Sequence, residues 1–246
     1  MLDLLKNAYY SLPLYKLKFF KYLPDRILFG KSYQSSSSLI STNTDLLKRN
    51  LRHILEYSMN HTRFGRDNIK APIYEDEVFS ILRSLPKIDP NDISGNLNYF
   101  VSDEYNRLNS YKTTTGGTGR APVTIKLSNE SYGIEWAYIH HIWSKLNYAR
   151  KSDTKLTLRG KRIDGRKLTL YNPLYNEIVT DTFRLNIQNF PDFIKEAENY
   201  TIHYIHGYPS LVKEFKQYCE LYSWKPEKLK GIMLGSETVQ SSDWND

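Results

Sequence analysis

The second half of the chain alternates short strand-like stretches with amphipathic helical stretches, and this alternation constrains the fold more than any other feature. Alternating apolar and polar residues are typical of strands, whereas an apolar face that recurs every three to four residues is typical of helices. Strands alternating with helices predict an α/β fold with a mixed, largely parallel sheet flanked by helices. We expect strands at residues 155–158, 167–171, 201–205 and 231–234, and helices at residues 192–198 and 209–222.

The first half has a helical pattern. Asp89 or Asn91 would cap a short helix, and a brief apolar patch follows at residues 99–101. We therefore divide the chain into an N-terminal helical region, residues 1–98, that packs on an α/β core, residues 99–246. The longer helices are expected at residues 45–64, 74–85 and 129–146, the first with Thr44 and the last with Ser128 as its N-cap.

Charge and cysteine content limit the environment and the partners. The 246 residues carry a formal net charge of +7 and one cysteine, Cys219. Positive charge favours anionic ligands such as nucleotides, nucleic acids or an anionic membrane face, and a single cysteine cannot form an internal disulfide, as expected in a reducing compartment. The sequence has no visible signal peptide and no apolar run of about 20 residues. We expect a cytoplasmic protein, at most peripheral to a membrane.

Residues 1–31 combine aromatic residues with lysines, and Pro13 and Pro24 divide them into short pieces. One interpretation is an amphipathic segment at a membrane surface. The other, which we favour, is a pair of N-terminal helices that packs on the rest of the protein.

A glycine- and threonine-rich stretch from Tyr111 to Pro122 leads into an alternating stretch at residues 123–127. Glycines let the backbone approach a ligand closely, and threonine hydroxyls with free backbone N–H groups suit phosphate oxygens. The Walker and dinucleotide glycine loops open a helix, whereas this stretch precedes a strand. The alternative is an ordinary hairpin turn. We favour a phosphate loop, because a plain turn does not need so many hydroxyl groups.

Other chemistries have little support. His140 and His141 are adjacent on a helix, and His203 and His206 diverge near a strand, so neither pair predicts a metal site. The sequence has no Gly-x-Ser-x-Gly elbow and no helix-turn-helix, zinc-finger or RNP motif, so we expect no nucleic-acid partner. The basic turn at residues 159–166 could contact phosphates, but we interpret it as a solvated loop that joins two strands.

Several motifs, taken together, resemble one family. Thr114-Thr-Gly-Gly-Thr-Gly119 resembles the phosphate loop of the adenylate-forming (AMP-dependent synthetase/ligase) superfamily, and Gly235-Ser-Glu237 resembles its adenine-contact motif. Gly207-Tyr-Pro-Ser210 and the stretch from Leu85 to Ile93 resemble segments of the phenylacetate–CoA ligase branch, within the subgroup called capsular polysaccharide biosynthesis proteins. The resemblance extends from about Asp45 to the end of the chain.

This resemblance implies part of the N-terminal domain of an ATP-dependent ligase with Mg²⁺ as cofactor. Such an enzyme activates a carboxylic acid as an acyl-adenylate and transfers the acyl group to a thiol, amine or hydroxyl acceptor, here in polysaccharide or cell-surface biosynthesis. Tyr208 and Pro209 would line the acyl pocket. The resemblance assigns the ATP phosphates to Thr114, Thr115, Gly116, Gly117, Thr118 and Gly119, and the adenine to Gly235, Ser236 and Glu237.

The family's Mg²⁺-binding glutamate motif, its catalytic lysine and its mobile C-terminal domain have no counterpart before Asp246. We therefore expect the first part of such an enzyme, with little or no adenylation activity by itself, and we assign no catalytic residue and no metal ligand. The alternative is a non-catalytic nucleotide- or glycan-binding protein in a polysaccharide-assembly complex. Nucleic-acid binding by the positive surface is a third and less favoured interpretation.

Overall fold

A computed structural model describes residues 18–40, 44–105, 109–115 and 122–239. Two compact units are distinguished. We call Phe29–Tyr138 the helical unit, and Met1–Leu28 with Ile139–Asp246 the sheet unit. The chain is thus divided after Leu28 and after Tyr138, whereas the sequence prediction placed one boundary after residue 98. Residues 1–17, more than half of the N-terminal aromatic segment, and residues 116–121, half of the glycine-threonine stretch, lie outside the described residues.

The helices, in chain order, are α1 (Asp25–Phe29), α2 (Lys31–Leu39), α3 (Thr44–His61), α4 (Arg63–Asn68), α5 (Val78–Ser84), α6 (Pro90–Gly95), α7 (Leu97–Phe100), α8 (Asn129–Ser144), α9 (Phe190–Ala197) and α10 (Pro209–Leu221). Short 3₁₀ turns occupy Lys18–Tyr22 and Glu75–Glu77. The strands are β1 (Ser110–Thr114), β2 (Thr124–Ser128), β3 (Lys155–Leu158), β4 (Thr169–Asn172), β5 (Glu177–Thr180), β6 (Tyr204–Gly207) and β7 (Gly231–Leu234). Among the described helices, none is both long and apolar enough to cross a bilayer.

The helical unit is built on α3, whose Leu55 packs with Ile69, Ile73 and Val78 in a small buried cluster. The predicted helix at residues 45–64 is divided because the Thr62 hydroxyl accepts from the Gly65 N–H at 2.9 Å and starts α4. Such N-caps satisfy backbone donors that have no partner inside a helix.

One local feature of the helical unit follows the sequence prediction and another differs from it. Asp89 caps α6 as predicted, within a capping box completed by Asp92. β1 and β2 form an antiparallel hairpin, in which Ser110 pairs with Ser128 and Thr114 with Thr124. The stretch that begins at Tyr111, predicted as a loop, is therefore a strand up to Thr114.

The sheet unit contains one five-stranded sheet in the order β4-β5-β3-β6-β7. β3 lies in the centre and runs parallel to β5 and β6, β7 is parallel to β6, and only β4 is antiparallel to its neighbour. This arrangement confirms the α/β prediction with a mixed, mainly parallel sheet. β5 was not predicted, and it lies between β3 and β4, so the basic turn does not join adjacent strands.

The two faces of the sheet differ in chemistry. One face is the main apolar core, where strand residues such as Leu156, Leu158 and Ile205 pack against α9 and α10. Phe190, Phe193, Val212 and Phe215 supply the helix side of this core. The other face carries the polar residues Lys155 and Thr157, which are buried, and Glu177 and His206, which are half-buried; they lie in register across the strands. Side chains alternate along a strand, so neighbouring positions face opposite layers.

Candidate functional site

Three parallel strands end side by side at the carboxyl edge of the sheet. Leu158 of β3 is in register with Gly207 of β6, and Gly207 with Leu234 of β7. The predicted segments at residues 208–210 and 235–237 leave these strands next to each other. In open α/β sheets, ligands bind outside the carboxyl ends of the strands. We therefore take this edge as the candidate site.

Close packing of the backbone at Gly207 holds this edge together. A Cβ atom at this position would lie 2.5 Å from the Leu158 carbonyl oxygen, so only glycine fits. The Tyr208 N–H donates to the same carbonyl at 3.2 Å, and the Gly235 N–H donates to the Gly207 carbonyl at 3.3 Å. The strand pairing thus continues one residue beyond the strands, and it fixes the start of both predicted segments.

Glu237 binds the beginning of α10. Its carboxylate accepts from the Ser210 N–H and from the Ser210 hydroxyl, both at 2.9 Å. A carboxylate is favourable there, because the first N–H groups of a helix have no internal partner and carry partial positive charge. The carboxylate is thus already engaged by the protein, which leaves the backbone of Gly235 and Ser236 as the surface for a ligand.

The turn at Gly235 and Ser236 is open and strained. A Cβ atom at Gly235 would meet no atom of the described residues within 4 Å, so the described part of the chain leaves space beside this backbone. Ser236 is exposed and has φ 69°, the left-handed region. A residue other than glycine in that region costs about 1 kcal/mol. Such strain is often found at binding sites, and here it lies at the predicted adenine-contact residue.

The two residues predicted for the acyl pocket lie at the same edge. Tyr208 is half-buried, and the Arg159 guanidinium lies 5.5 Å from the centre of its ring. Pro209 is buried in the first turn of α10. Tyr208 can therefore form one wall of a site at this edge, with a cation above it.

Thr114 and Thr115 belong to the helical unit, at the loop end of the β1–β2 hairpin. The Thr115 hydroxyl accepts from the Val123 N–H at 3.0 Å, and the Thr115 N–H donates to the Val123 carbonyl at 3.0 Å. These bonds close the loop end of the hairpin, and among the described residues none accepts the hydroxyl proton of Thr115. Gly116, Gly117, Thr118 and Gly119 lie outside the described residues, so the phosphate assignment stays a prediction.

Neither a group of metal ligands nor the cleft in the helical unit adds to this edge. In the described part of the chain, no group of three or more His, Cys, Asp or Glu side chains is suited to a metal ion, so no residue is assigned to Mg²⁺. A cleft of about 720 Å³ lies in the helical unit, and both apolar and polar residues line it, including Glu104 and Lys126. None of the predicted site residues lines it.

Comparison with models of known protein families and with curated proteins found no match. The class of protein is therefore defined by the fold and the edge alone: an α/β protein with a mainly parallel sheet and an open turn at the carboxyl ends of its strands.

The sequence interpretation missed two groups at this edge. Ser210 was not singled out as the partner of Glu237, and Arg159 was assigned to a solvated turn. The signal for Arg159 was its position directly after a predicted strand, since such positions lie at the ligand-binding edge of a parallel sheet.

Two histidines near the polar face are held neutral. Burial, reinforced by the charge of Lys155, lowers the pKa of His206 to about 3 and that of His140 to about 4. The His206 ring packs edge-on against Trp143, with 4.8 Å between the ring centres. The Nδ1 atom of His206 has no hydrogen-bond partner among the described residues. Protonation of His206 would place a second cation beside Lys155, so the folded state disfavours it.

We expect this chain to lose stability on mild acidification. Unfolded histidine has a pKa of about 6.5, so below that pH the unfolded state binds more protons and stability falls with falling pH. The free energy of unfolding should fall by about 2 kcal/mol less in the variant His206→Phe than in the wild type when the pH is lowered from about 6.5 to about 4.5. Urea unfolding at a series of pH values measures this, with His53→Phe on the exposed surface of α3 as the control. An unchanged pH slope in the His206 variant would contradict the assignment.

Proposed function

We propose that this protein is an ATP-dependent, acyl-adenylate-forming ligase. It would activate a carboxylic acid as an acyl-adenylate and pass the acyl group to a thiol, amine or hydroxyl acceptor, in polysaccharide or cell-surface biosynthesis. The observation that carries the proposal is the pair of bonds from Ser210 to Glu237. They join two segments that resemble the same family at the carboxyl edge of the sheet.

The geometry of the open turn supports binding of an adenine ring. The Gly235 carbonyl and the backbone of Ser236 lie in the open turn, and Tyr208 directly follows the neighbouring strand β6. A planar base can hydrogen-bond to backbone groups and pack on an aromatic ring. Glu237 would act as a positioning residue, since it anchors the turn to α10.

The hairpin of the helical unit supports the phosphate assignment through its chemistry. The Thr115 hydroxyl keeps a proton to donate, and Thr114 is exposed. When bound, ATP would supply the electrophilic α-phosphate, with pyrophosphate as the leaving group. The residues of this chain would bind and orient it, because phosphoryl chemistry depends mainly on positioning and charge stabilisation. Mg²⁺ would accompany the ATP phosphates.

Calorimetric titration of the chain with ATP, GTP and a non-hydrolysable acyl-adenylate mimic tests this proposal. We expect ATP and the mimic to bind and GTP to bind about tenfold more weakly, because the turn recognises adenine. Glu237→Ala should weaken ATP binding about fivefold by releasing the turn from α10.

The matched control is Glu220→Ala, which removes one exposed carboxylate from the far end of the same helix. It should leave ATP affinity unchanged. Equal affinity for ATP and GTP, or no binding of either ATP or the mimic, would refute the proposal. The second result would favour the non-catalytic alternative.

A further inference from the structure

The basic loop, residues 159–167, leaves the central strand β3 at the carboxyl edge of the sheet. It holds a dense set of cations against a single acid, Asp164. These cations are all exposed, and none of them forms an ion pair with a described residue: Arg159, Lys161, Arg162, Arg166 and Lys167. Their charge is therefore available to a ligand.

The backbone of this loop is held by the partly exposed Arg184 and the buried Asp181, which form an ion pair. The Arg184 guanidinium donates to the carbonyls of Ile163, Gly165 and Lys167 at 2.9, 2.6 and 2.6 Å. Asp181, fully buried, accepts from Arg184 Nε at 2.7 Å and from the Ile163 N–H at 2.9 Å. Burial alone would raise the pKa of Asp181, but these donors hold it below its usual value. These bonds thus hold the backbone of the loop, while its cationic side chains are exposed.

Two of the cations rest on aromatic rings at the ends of neighbouring strands. Arg159 lies 5.5 Å from the ring centre of Tyr208, and Arg162 lies 5.3 Å from that of Phe183, which is 61% exposed. A guanidinium stacked on a ring keeps its N–H donors in its own plane, where they can bind phosphate oxygens in pairs. The rings therefore preorganise two anion-binding groups and lower the entropic cost of binding.

We propose that the basic loop is a binding site for the phosphate groups of a small molecule, with Arg159 and Arg162 as its principal ligands. The cations are confined to one short braced loop, which matches a di- or triphosphate better than a long polyanion, whose binding requires charge spread along a surface. This site goes beyond the proposed function, because it depends neither on adenine recognition nor on acyl transfer.

Titration of the whole chain with inorganic tripolyphosphate at physiological ionic strength tests this proposal. The double variant Arg159→Gln/Arg162→Gln should bind tripolyphosphate about tenfold or more weakly, because charged hydrogen bonds to phosphate are lost. The matched control is Lys225→Gln/Lys228→Gln, which removes two exposed lysines near the start of β7, at the opposite edge of the sheet. The control should change affinity less than about twofold.

Four results would overturn the proposal. The first is no binding of tripolyphosphate by the wild-type chain, and the second is an equal loss of affinity in both double variants, which net charge alone would produce. The third is an RNA oligonucleotide that binds the wild-type chain more tightly than tripolyphosphate does and loses the same affinity in the arginine variant. The fourth is an unfolding midpoint of the arginine variant so much lower that unfolding accounts for its lost affinity. The two proposals can fail separately. If the chain binds ATP and GTP equally but still binds tripolyphosphate through Arg159 and Arg162, adenine recognition is refuted and the phosphate site of the basic loop stands.

Discussion

Replacing Glu177 with Gln should destabilise the fold by about 3–5 kcal/mol, because it removes the counter-charge of a buried lysine. The Lys155 side chain is 1% exposed, and its Nζ lies 3.4 Å from Glu177 Oε2 and donates to the Tyr175 carbonyl at 3.0 Å. Burial lowers the pKa of Lys155. For Glu177, burial acts to raise the pKa, but Lys155 and donors from Thr157 and Asn172 hold it below its usual value.

Urea unfolding of the wild type and of Glu177→Gln measures this loss. The loss should shrink as the pH rises towards about 10, because an unpaired buried lysine escapes the penalty by losing its proton. Between the lowered pKa of Lys155 in the folded state and its ordinary pKa in the unfolded state, the unfolded state binds the extra proton. The stability of the variant therefore rises with pH in this range.

Two further variants separate the ion pair from a general effect. The double variant Lys155→Met/Glu177→Leu should destabilise the fold less than Glu177→Gln, because it leaves no unpaired buried charge; the partners of the two side chains at Thr157, Asn172 and Tyr175 account for the remaining loss. Lys195→Ala removes one partner of an exposed pair with Asp192 and should cost less than about 0.5 kcal/mol. A loss below about 1 kcal/mol in Glu177→Gln would show that the buried charge is not the stabilising feature.

Replacing Arg150 with Met should lower the free energy of unfolding by about 3–5 kcal/mol, because several buried acceptors lose their donor. The Arg150 side chain is 4% exposed and donates twice to Asp25, at 2.6 and 3.0 Å. It also donates to the carbonyls of Lys21, Leu23 and Leu174 at 2.9, 2.8 and 2.7 Å. Methionine fills similar space but leaves all four acceptors without this donor.

Because these bonds hold residues 21–25 against the end of β4, the variant should also become sensitive to proteolysis near α1. Limited proteolysis together with urea unfolding measures both effects. Lys151→Met is the matched control, since it removes an exposed cation one position along the chain and should cost less than about 0.5 kcal/mol. Equal stability of the Arg150 variant and this control would contradict the expected role.

The sequence predicted most helices and strands of this chain, because their signals are local. The apolar face of α10, Pro209 in its first turn and the capping box at Asp89 depend on neighbouring residues only. β5 was missed, since Glu177–Thr180 is short and directly follows a turn. β1 was missed because Ser110–Thr114 has no apolar run, and its stability depends on pairing with β2.

For the candidate site, the sequence by itself determined which segments end strands and therefore which residues reach the carboxyl edge. Only the tertiary structure decided that Glu237 binds Ser210, that Asp181 and Arg184 brace the basic loop, and that the polar face buries Lys155. The physical reason is strand order. The strand order β4-β5-β3-β6-β7 is set by pairing between distant parts of the chain, and local patterns carry no information about which strand lies next to which.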